Sequence, residues 1–287
     1  MPTAFLFPGQ ASQTPDMRDD VAAVRPDLLD RVTEAVGQDP FPRVDDGTDF
    51  AQPAIFCASL AGLATLAELG ERPDAVAGHS LGELAALVAA GSLAEGDALA
   101  LVAERGRLMQ RAGEESGTGG MLAVLGSGPA EEIAERHGLA VANDNAPGQL
   151  VLSGDRDALE RAAADAREAG LKAMALGVAG AFHSPHMASA AEAFARAVED
   201  VEVSAPRLPF FSCVTASPIE DPEEIRRRLV DGLTSPVRWR ETLLALDAAG
   251  MDRYVETGPG KVLSRLVKRT LSDAEATTAE RGAGARA

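Results

Sequence analysis

The sequence predicts an α/β protein with a buried, mostly parallel sheet and a smaller βαββαβ unit inserted into it. Two short and wholly apolar runs, Thr3–Phe7 and Ala75–Ala77, are typical of strands buried on both faces of a parallel sheet. The glycine-rich segment 114–120 then precedes strand and helix patterns in the order β-α-β-β-α-β. A chain of 287 residues with 46% hydrophobic content is long enough for one such core with an insert.

Composition and charge narrow the class of protein. The net charge of −17 argues against a nucleic-acid-binding protein, which normally has a basic surface. Cys57 and Cys213 lie in apolar surroundings far apart in sequence, so we expect buried free thiols in a reducing compartment. The N-terminus lacks the pattern of a signal peptide, and no run approaches the roughly 18 apolar residues of a membrane span. We therefore expect a cytoplasmic protein that binds neither membrane nor nucleic acid.

The first part of the chain alternates strands and helices. After the strand Thr3–Phe7, residues 21–36 have mixed helical character and residues 38–50, rich in Pro and Asp, favour a loop. Residues 54–69 predict a helix that is apolar on nearly all sides and therefore buried. A strand at 75–77, a helix closed by Gly91 and a helix over 97–111 follow.

The insert and the remainder of the chain have their own patterns. Strands are predicted at 121–125, 139–142, 149–153 and 172–176, helices at 129–136 and 157–169, and a turn at 143–148. The core resumes with a loop at 177–187, a helix at 188–198, a strand at 208–214 and a helix at 222–229. A helix starting at Pro236, a strand at 253–256 and a helix at 261–271 complete it, and the residues from Ser272 onward predict a frayed tail.

The most informative motif is Gly78-His-Ser80-Leu-Gly82, between an apolar strand and an Ala/Leu-rich helix. A nucleophile elbow has this pattern, because its tight bend accommodates only small residues two positions either side of the serine. The bend exposes the hydroxyl of Ser80 and places the next amide at a helix N-terminus, where it can bind an oxyanion. The alternative is a glycine-lined turn whose serine only caps the helix.

A serine nucleophile needs a base, and the chain has four histidines. His79 adjoins Ser80 in an extended segment, so its side chain is expected to point away from the hydroxyl. His137 follows a helix and is expected to cap its C-terminus. His183 and His186 remain, and their spacing favours His183 only slightly.

Three further charged features have two interpretations each. Arg105, on a predicted helix, is either a solvated charge or a fork that binds a substrate carboxylate in bidentate fashion. The cluster Arg226–Arg228 is either a solvated helix face or a contact surface for an acidic partner. Glu256 is a candidate third triad member by position, although a structural role is favoured.

Several motifs occur in a fixed order between residues 3 and about 270. They are Phe7-Pro-Gly-Gln10-Ala-Ser-Gln13, Gln52-Pro53-Ala54, Gly78-His-Ser80-Leu-Gly-Glu83, Arg105-Gly-Arg-Leu-Met-Gln110, Asn143-Asp-Asn-Ala-Pro-Gly-Gln149, Leu152-Ser-Gly154, Ser235-Pro-Val-Arg-Trp239 and Glu256-Thr-Gly-Pro-Gly260-Lys261. Together they resemble the malonyl-CoA:acyl-carrier-protein transacylases, the acyltransferases of bacterial fatty-acid and polyketide synthesis. The resemblance implies an α/β-hydrolase-like parallel-sheet core (1–117 and 178–271), a ferredoxin-like (βαββαβ) subdomain (118–177) and a flexible tail (272–287).

The resemblance also implies roles for individual residues. Ser80 would be the nucleophile and His183 its base, because Phe182-His183 with Met187 four residues on matches the catalytic-histidine segment. Arg105 would bind the malonyl carboxylate. Other implied roles are oxyanion-hole amides from Gln10 and Leu81, a carbonyl at about Gly232 that orients the histidine in place of an acid, and acyl selectivity from Ala181 and Phe182.

The implied reaction is a ping-pong transfer from malonyl-CoA to the phosphopantetheine thiol of acyl carrier protein, without a metal or redox cofactor, by a monomer. Alternatives are an acyl-thioester hydrolase on the same scaffold, the malonyltransferase subunit of a malonate decarboxylase system and, least favoured, a non-catalytic carrier-docking module. Carrier docking would use Arg226–Arg228 or Lys268-Arg269. The chain departs from the family pattern at Ala11, usually glycine, at Gly180, often histidine, and in a shortened segment 14–51.

Overall fold

The computed structural model describes residues 1–279, which form two sheets surrounded by helices. The strands of these residues are β1 (Thr3–Phe7), β2 (Ala75–Gly78), β3 (Gly119–Leu125), β4 (Ala140–Ala146), β5 (Gln149–Asp155), β6 (Lys172–Ala175), β7 (Phe210–Ser212), β8 (Ser217–Ile219), β9 (Arg253–Glu256) and β10 (Glu275–Thr278). The α-helices are α1 (Met17–Val24), α2 (Asp27–Val36), α3 (Thr48–Glu68), α4 (Gly82–Ala90), α5 (Glu95–Ser116), α6 (Ala130–Arg136), α7 (Arg156–Glu168), α8 (Ala188–Glu199), α9 (Pro222–Asp231), α10 (Trp239–Ala248) and α11 (Val262–Thr270).

The larger sheet has the strand order β10-β9-β1-β2-β7-β8. All neighbours are parallel except the hairpin of β7 and β8. β1 and β2 are fully buried in its middle, as their apolar sequences predict. Since they are parallel neighbours, the loops that follow them leave the same edge of the sheet, and this edge carries the candidate site.

The smaller sheet is antiparallel with the strand order β4-β5-β3-β6. With α6 and α7, this is the order of a ferredoxin-like βαββαβ unit. Its own apolar cluster includes Leu122, Ile133, Leu152 and Leu159, separate from the clusters around the larger sheet. The predicted fold class is confirmed.

Helix α3 is the central helix of the core. At 21 residues and a mean hydropathy of 1.5 it is long and apolar enough to span a membrane, so the expectation that no segment approaches that length is wrong. However, 78% of its apolar window is buried within the protein, as in the core helix of a globular domain. It begins at Thr48, before the predicted start, because Pro53 inside the helix deprives only the Asp49 carbonyl of a helical donor.

Two proline-related predictions differ from the structure. The helical segment 21–36 is two helices, α1 and α2, separated at Pro26. Helix α10 begins at Trp239 instead of Pro236, because Val237 is extended and pairs with β4 through its N–H and carbonyl. β4 accordingly runs to Ala146, and the predicted turn 143–148 shrinks to residues 147–148.

The C-terminal prediction is also corrected. Residues 275–278 form β10, which extends the larger sheet in parallel with β9, so a frayed tail is wrong for these residues. Their sequence lacks apolar periodicity because the strand lies at the sheet edge, where Glu275 is exposed. The rest of the predicted tail, 280–287, lies outside the described residues.

Candidate active site

The sharp turn between β2 and α4 has Ser80 at its apex. Ser80 has φ +54°, a left-handed backbone conformation that side chains rarely adopt. A Cβ at Gly78 would lie 2.1 Å from the Glu83 nitrogen, and one at Gly82 would lie 2.0 Å from the Phe7 carbonyl oxygen. No side chain fits at either position, which is why the turn has glycine two residues before and two residues after the serine.

His183 is buried beside this turn, with only 6% of its surface exposed. Its Nε2 is 2.9 Å from Ser80 Oγ, and its Nδ1 is 2.8 Å from the Gly232 carbonyl oxygen. The carbonyl accepts a hydrogen bond from the Nδ1 proton, so the lone pair of Nε2 faces the serine hydroxyl. His186, the rival candidate, is exposed in the short 3₁₀ helix Pro185–Met187 that precedes α8.

Arg105 on α5 contacts the same hydroxyl. Its Nη2 donates to Ser80 Oγ across 3.2 Å and its Nη1 to Gln52 Oε1 across 2.7 Å. Arg105 is only 5% exposed, so the solvated-charge interpretation is wrong. The network continues from Gln52 through the hydroxyl of Thr48, which donates to Gln10 Oε1 across 2.7 Å.

Burial shifts the pKa values of three groups around Ser80. Desolvation, and then the charge of Arg105, lower the pKa of His183 to about 3. Desolvation also lowers the pKa of Arg105 to about 10 and raises that of Glu83 to about 7. Among the described residues, no carboxylate forms a hydrogen bond to Arg105. Within residues 1–279 the site therefore presents a neutral imidazole beside a buried cation that has no hydrogen-bonded carboxylate.

These groups lie in a cleft of about 420 Å³ between the larger sheet and the inserted unit. Its polar lining includes Gln10, Gln52, His79, Ser80, Arg105, Asn143, Asn145, Gln149 and His183. Leu81 and Phe182 also line it, as does Ala11, which has φ +77° where the family pattern has glycine. Ala181 does not: it is buried behind the cleft, where its Cβ is 3.1 Å from the site of a Gly119 Cβ.

The other histidines and Glu256 have structural partners. His79 Nε2 is 2.8 Å from Asn145 Oδ1, and its ring lies edge-on to Trp239. His137 is at the C-terminal cap of α6, as predicted, and its Nε2 contacts Asp165 at 2.9 Å. Glu256 accepts hydrogen bonds from the backbone N–H groups of Leu263 and Ser264 in the first turn of α11, so its role is structural.

Three further polar residues of the site region, Gln52, Glu83 and Asn145, are not indicated as participants by their motifs alone. For Gln52 on α3 and Glu83 on α4, the sequence signal is a polar residue within a mostly apolar helical stretch, and both side chains are buried. Glu83 Oε1 accepts the backbone N–H of Cys213, which fixes the end of β7 against α4.

Cys57 and Cys213 are buried free thiols, as expected. Within residues 1–279, no group of three or more His, Cys, Asp or Glu side chains is arranged to hold a metal ion.

The strand–turn–helix bend of the parallel-sheet core brings a hydroxyl, an imidazole and a buried guanidinium into one cleft. This arrangement defines an acyl-transfer enzyme whose guanidinium can bind a charged acyl group. Comparison with known proteins agrees. The family model of the acyl transferase domain matches residues 4–285, and the chain belongs to this family. The protein is an acyltransferase.

Several relatives share most of their length with this chain. The malonyl CoA-acyl carrier protein transacylase of Haemophilus influenzae is 38% identical in an alignment of 292 positions that covers 95% of this chain and 93% of that protein. The polyketide biosynthesis protein ThaF of Burkholderia thailandensis is 39% identical, but the chain spans only 24% of its length. A solved structure of the acyl-carrier-protein S-malonyltransferase from Burkholderia pseudomallei superposes with a TM-score of 0.91 at 34% identity, covering 97% of this chain and 96% of that one.

Proposed function

We propose that the enzyme moves a malonyl group from malonyl-CoA to the phosphopantetheine thiol of an acyl carrier protein through a malonyl-serine intermediate. The observation that carries the proposal is the contact of Ser80 Oγ with both His183 Nε2 and Arg105 Nη2. One contact supplies a base to the hydroxyl, and the other places a carboxylate-binding group beside the acyl position. The names of relatives that match nearly the whole chain support the same activity.

In the first half-reaction, His183 Nε2 takes the Ser80 proton as the oxygen attacks the thioester carbon of malonyl-CoA. The tetrahedral intermediate collapses, the C–S bond breaks, and CoA leaves as its thiol with the proton from His183. The Gly232 carbonyl holds the Nδ1 proton and stabilises the transient imidazolium, which is the function an acid performs in a serine triad.

The oxyanion is stabilised by backbone amides, proposed as those of Gln10 and Leu81. Leu81 immediately precedes α4, so its N–H lies at a helix N-terminus, and Gln10 follows β1 at the same sheet edge. In the second half-reaction the carrier thiol gives its proton to His183 and attacks the malonyl-serine carbonyl, and Ser80 regains its proton. No step requires a metal or redox cofactor.

Arg105 provides the selectivity for a carboxylated acyl group. Its Nη2 can leave Ser80 Oγ and, with Nη1, form the two parallel bonds that a carboxylate accepts. An acetyl group would leave this buried charge without an anion, which costs on the order of several kcal/mol relative to the paired state. Phe182, at the cleft wall before His183, is proposed to limit substituents on the acyl chain.

The rival activities predict other outcomes for the acyl-enzyme. A thioester hydrolase would pass the malonyl group to water, and the malonyltransferase subunit of a malonate decarboxylase would pass it to that enzyme system. Retention of Arg105 and the relatives' names favour transfer to acyl carrier protein. We also propose a cytoplasmic site of action, in keeping with the two buried free thiols, Cys57 and Cys213.

A discharge experiment tests the proposal. Enzyme loaded with labelled malonyl-CoA and freed of excess substrate is mixed with holo carrier protein, apo carrier protein or buffer. The expected result is rapid appearance of the label on holo carrier alone. Equal release of free malonate in all three mixtures would identify a hydrolase and overturn the proposed activity.

A further inference from the structure

The inserted unit touches the nucleophile turn at one side chain that the mechanism above does not use. Asn145 of β4 accepts a hydrogen bond at Oδ1 from His79 Nε2 across 2.8 Å, and His79 directly precedes Ser80. Asn145 is only 8% exposed. We propose that Asn145 is a positioning residue, which holds the nucleophile and the oxyanion-hole amides in place through His79. The inference rests on the proposed roles of Ser80, Gln10 and Leu81.

The backbone of β4 is irregular at this residue. The ladder with β5 passes from Asp144 to Ala146, so Asn145 is the extra residue of a β-bulge and has no partner on β5. A bulge redirects a side chain out of the regular alternation of a strand. The Asp144 N–H donates to the Val237 carbonyl of the core across 2.9 Å. The bulge is thus located where the inserted unit joins the core, and it directs an amide into that junction.

His79 is wedged between this amide and the two segments that carry the oxyanion amides. Its ring lies edge-on to Trp239 with centroids 5.3 Å apart. A Cβ on Gly9 would lie 3.0 Å from His79 Nδ1 and 2.7 Å from its carbonyl oxygen, so the two residues are in direct contact. Gln10 follows Gly9, and Leu81 lies two residues after His79. A displaced His79 imidazole would therefore disturb the backbone segments that hold the Gln10 and Leu81 amides.

Burial keeps the pKa of His79 below its usual value, so the ring is neutral and only one of its nitrogens carries a proton. The Asn145 carbonyl oxygen selects the tautomer with that proton on Nε2. Losing one oxyanion donor lowers catalytic rates by about 100- to 1000-fold in serine hydrolases. Loosening the support of both amides should have part of that effect and should act on rate more than on substrate binding.

The test uses two reagents that react with the serine in different ways. For Asn145→Ala, we expect the maximal rate of malonylation by malonyl-CoA to fall by about 10- to 100-fold, with KM changed by less than about threefold. We expect phosphonylation by a small alkyl fluorophosphonate, which has neither a pantetheine arm nor a carboxylate, to slow by a similar factor. Slower malonylation through KM alone, with normal phosphonylation, would mean that Asn145 binds the thioester arm and would overturn the proposal.

A matched control separates positioning from general attachment of the inserted unit. Asp144 adjoins Asn145 on β4 and pairs with Arg240 of α10 at 2.7 Å, without touching the nucleophile turn. Asp144→Ala should lower the melting temperature and leave Ser80 reactivity within about twofold of wild type. Equal losses of reactivity in the two variants would contradict the proposal.

A conservative variant tests the hydrogen bond itself. Asn145→Asp retains an oxygen acceptor for His79 Nε2 and should recover most of the rate lost in Asn145→Ala, whereas no recovery would exclude this bond as the cause. If Asn145→Ala does not fold, Asn145→Ser replaces it in the comparison. Wild type that reacts with the fluorophosphonate and not with malonyl-CoA would remove the proposed function alone and leave the positioning role open to the phosphonylation test.

Discussion

Arg105 Nη2 lies 3.2 Å from Ser80 Oγ, on a hydroxyl that also faces His183 Nε2 at 2.9 Å. The guanidinium thus contacts the proposed nucleophilic oxygen itself. In the proposed mechanism a malonyl carboxylate takes the place of this contact and neutralises the positive charge beside His183. The proposal therefore couples substrate charge and nucleophile reactivity through one side chain.

The first prediction concerns the geometry of carboxylate binding. Arg105→Lys keeps the positive charge and loses the planar fork, so kcat/KM for malonyl-CoA should fall by at least about 100-fold. Arg107 is a matched control, since it lies on the same helix, is exposed and pairs with Glu104. Arg107→Lys should change kcat/KM by less than about twofold. Steady-state kinetics checks both, and full activity of Arg105→Lys would show that charge alone suffices.

The second prediction concerns the pH dependence of the base. His183 acts when neutral, so the rate is retained above its pKa and lost below it; burial and Arg105 hold that pKa at about 3. The rate of Ser80 phosphonylation should therefore show no inflection near 6.5, the ordinary histidine value. Arg105→Met removes the second cause, and its acid limb should move to higher pH.

Glu83 and His79 also face this part of the site, and Glu83 has a pKa of about 7. Glu83→Gln in both backgrounds therefore separates its titration from that of His183. An inflection near 6.5 that is the same with and without Arg105 would contradict the assigned cause.

The third prediction is a pH-dependent stability. The pKa of Glu83 is raised by burial from 4.5 to about 7, so the folded state binds more protons than the unfolded state between these values. Stability contributed by this group is present below pH 4.5 and is lost as pH rises to about 7. The unfolding free energy of Glu83→Gln relative to wild type should thus increase over this window, by up to a few kcal/mol, and stay constant above it. Urea unfolding at several pH values measures it, and a flat difference would contradict the raised pKa.

The fourth prediction follows from the backbone at Ala11, whose φ is +77°. The left-handed conformation costs alanine about 1–2 kcal/mol. Glycine avoids this cost, but its greater unfolded-state entropy offsets part of the stabilisation. Ala11→Gly should therefore raise stability by about 0.5–1 kcal/mol. Ala216, with φ +53° in the turn between β7 and β8, is the control outside the cleft: Ala216→Gly should stabilise similarly, and only Ala11→Gly should alter malonylation kinetics. A lower melting temperature for Ala11→Gly than for wild type would contradict backbone strain at Ala11.

The fifth prediction concerns carrier docking. Of the two basic patches, α11 is the better placed, because Val262, Leu263 and Leu266 of this helix line the cleft. Lys268→Glu on its exposed face should raise KM for carrier protein by several-fold and leave malonylation from CoA unchanged. Arg227→Glu on α9 is the control for the other basic patch. Its neighbours Arg226 and Arg228 are hydrogen-bonded to Val198, Glu224 and Asp231, which leaves them less available for a carrier protein, so this variant should change the KM for carrier protein little. An unchanged carrier KM in Lys268→Glu would exclude this patch.

The fold was predictable because its signals are local. Short apolar strands and the glycines around Ser80 report burial and a tight turn directly in the sequence, and the Gly78 and Gly82 contacts give the physical reason. Segments whose conformation depends on distant partners were not predictable. Val237 is extended because it pairs with β4, and residues 275–278 are a strand because β9 is beside them.

The site, like the fold, was predictable only where its signals are local in the sequence. The residues alone left His183 and His186 open, and the resemblance to a family was needed to choose between them. The burial of Arg105 was not evident, because it depends on α3 and Gln52, which are distant in sequence. The link from Asn145 to His79 requires a β-bulge in another sheet, which no local pattern indicates.

The most direct test of the account is the intact mass of the protein after brief exposure to malonyl-CoA, beside Ser80→Ala and an acetyl-CoA control. We expect a single malonyl adduct on the wild-type protein only, and little adduct from acetyl-CoA, because only a carboxylate pairs with Arg105. A malonyl adduct that persists in Ser80→Ala would contradict Ser80 as the nucleophile. An acetyl adduct as abundant as the malonyl adduct would contradict Arg105 as the group that selects a carboxylated acyl group.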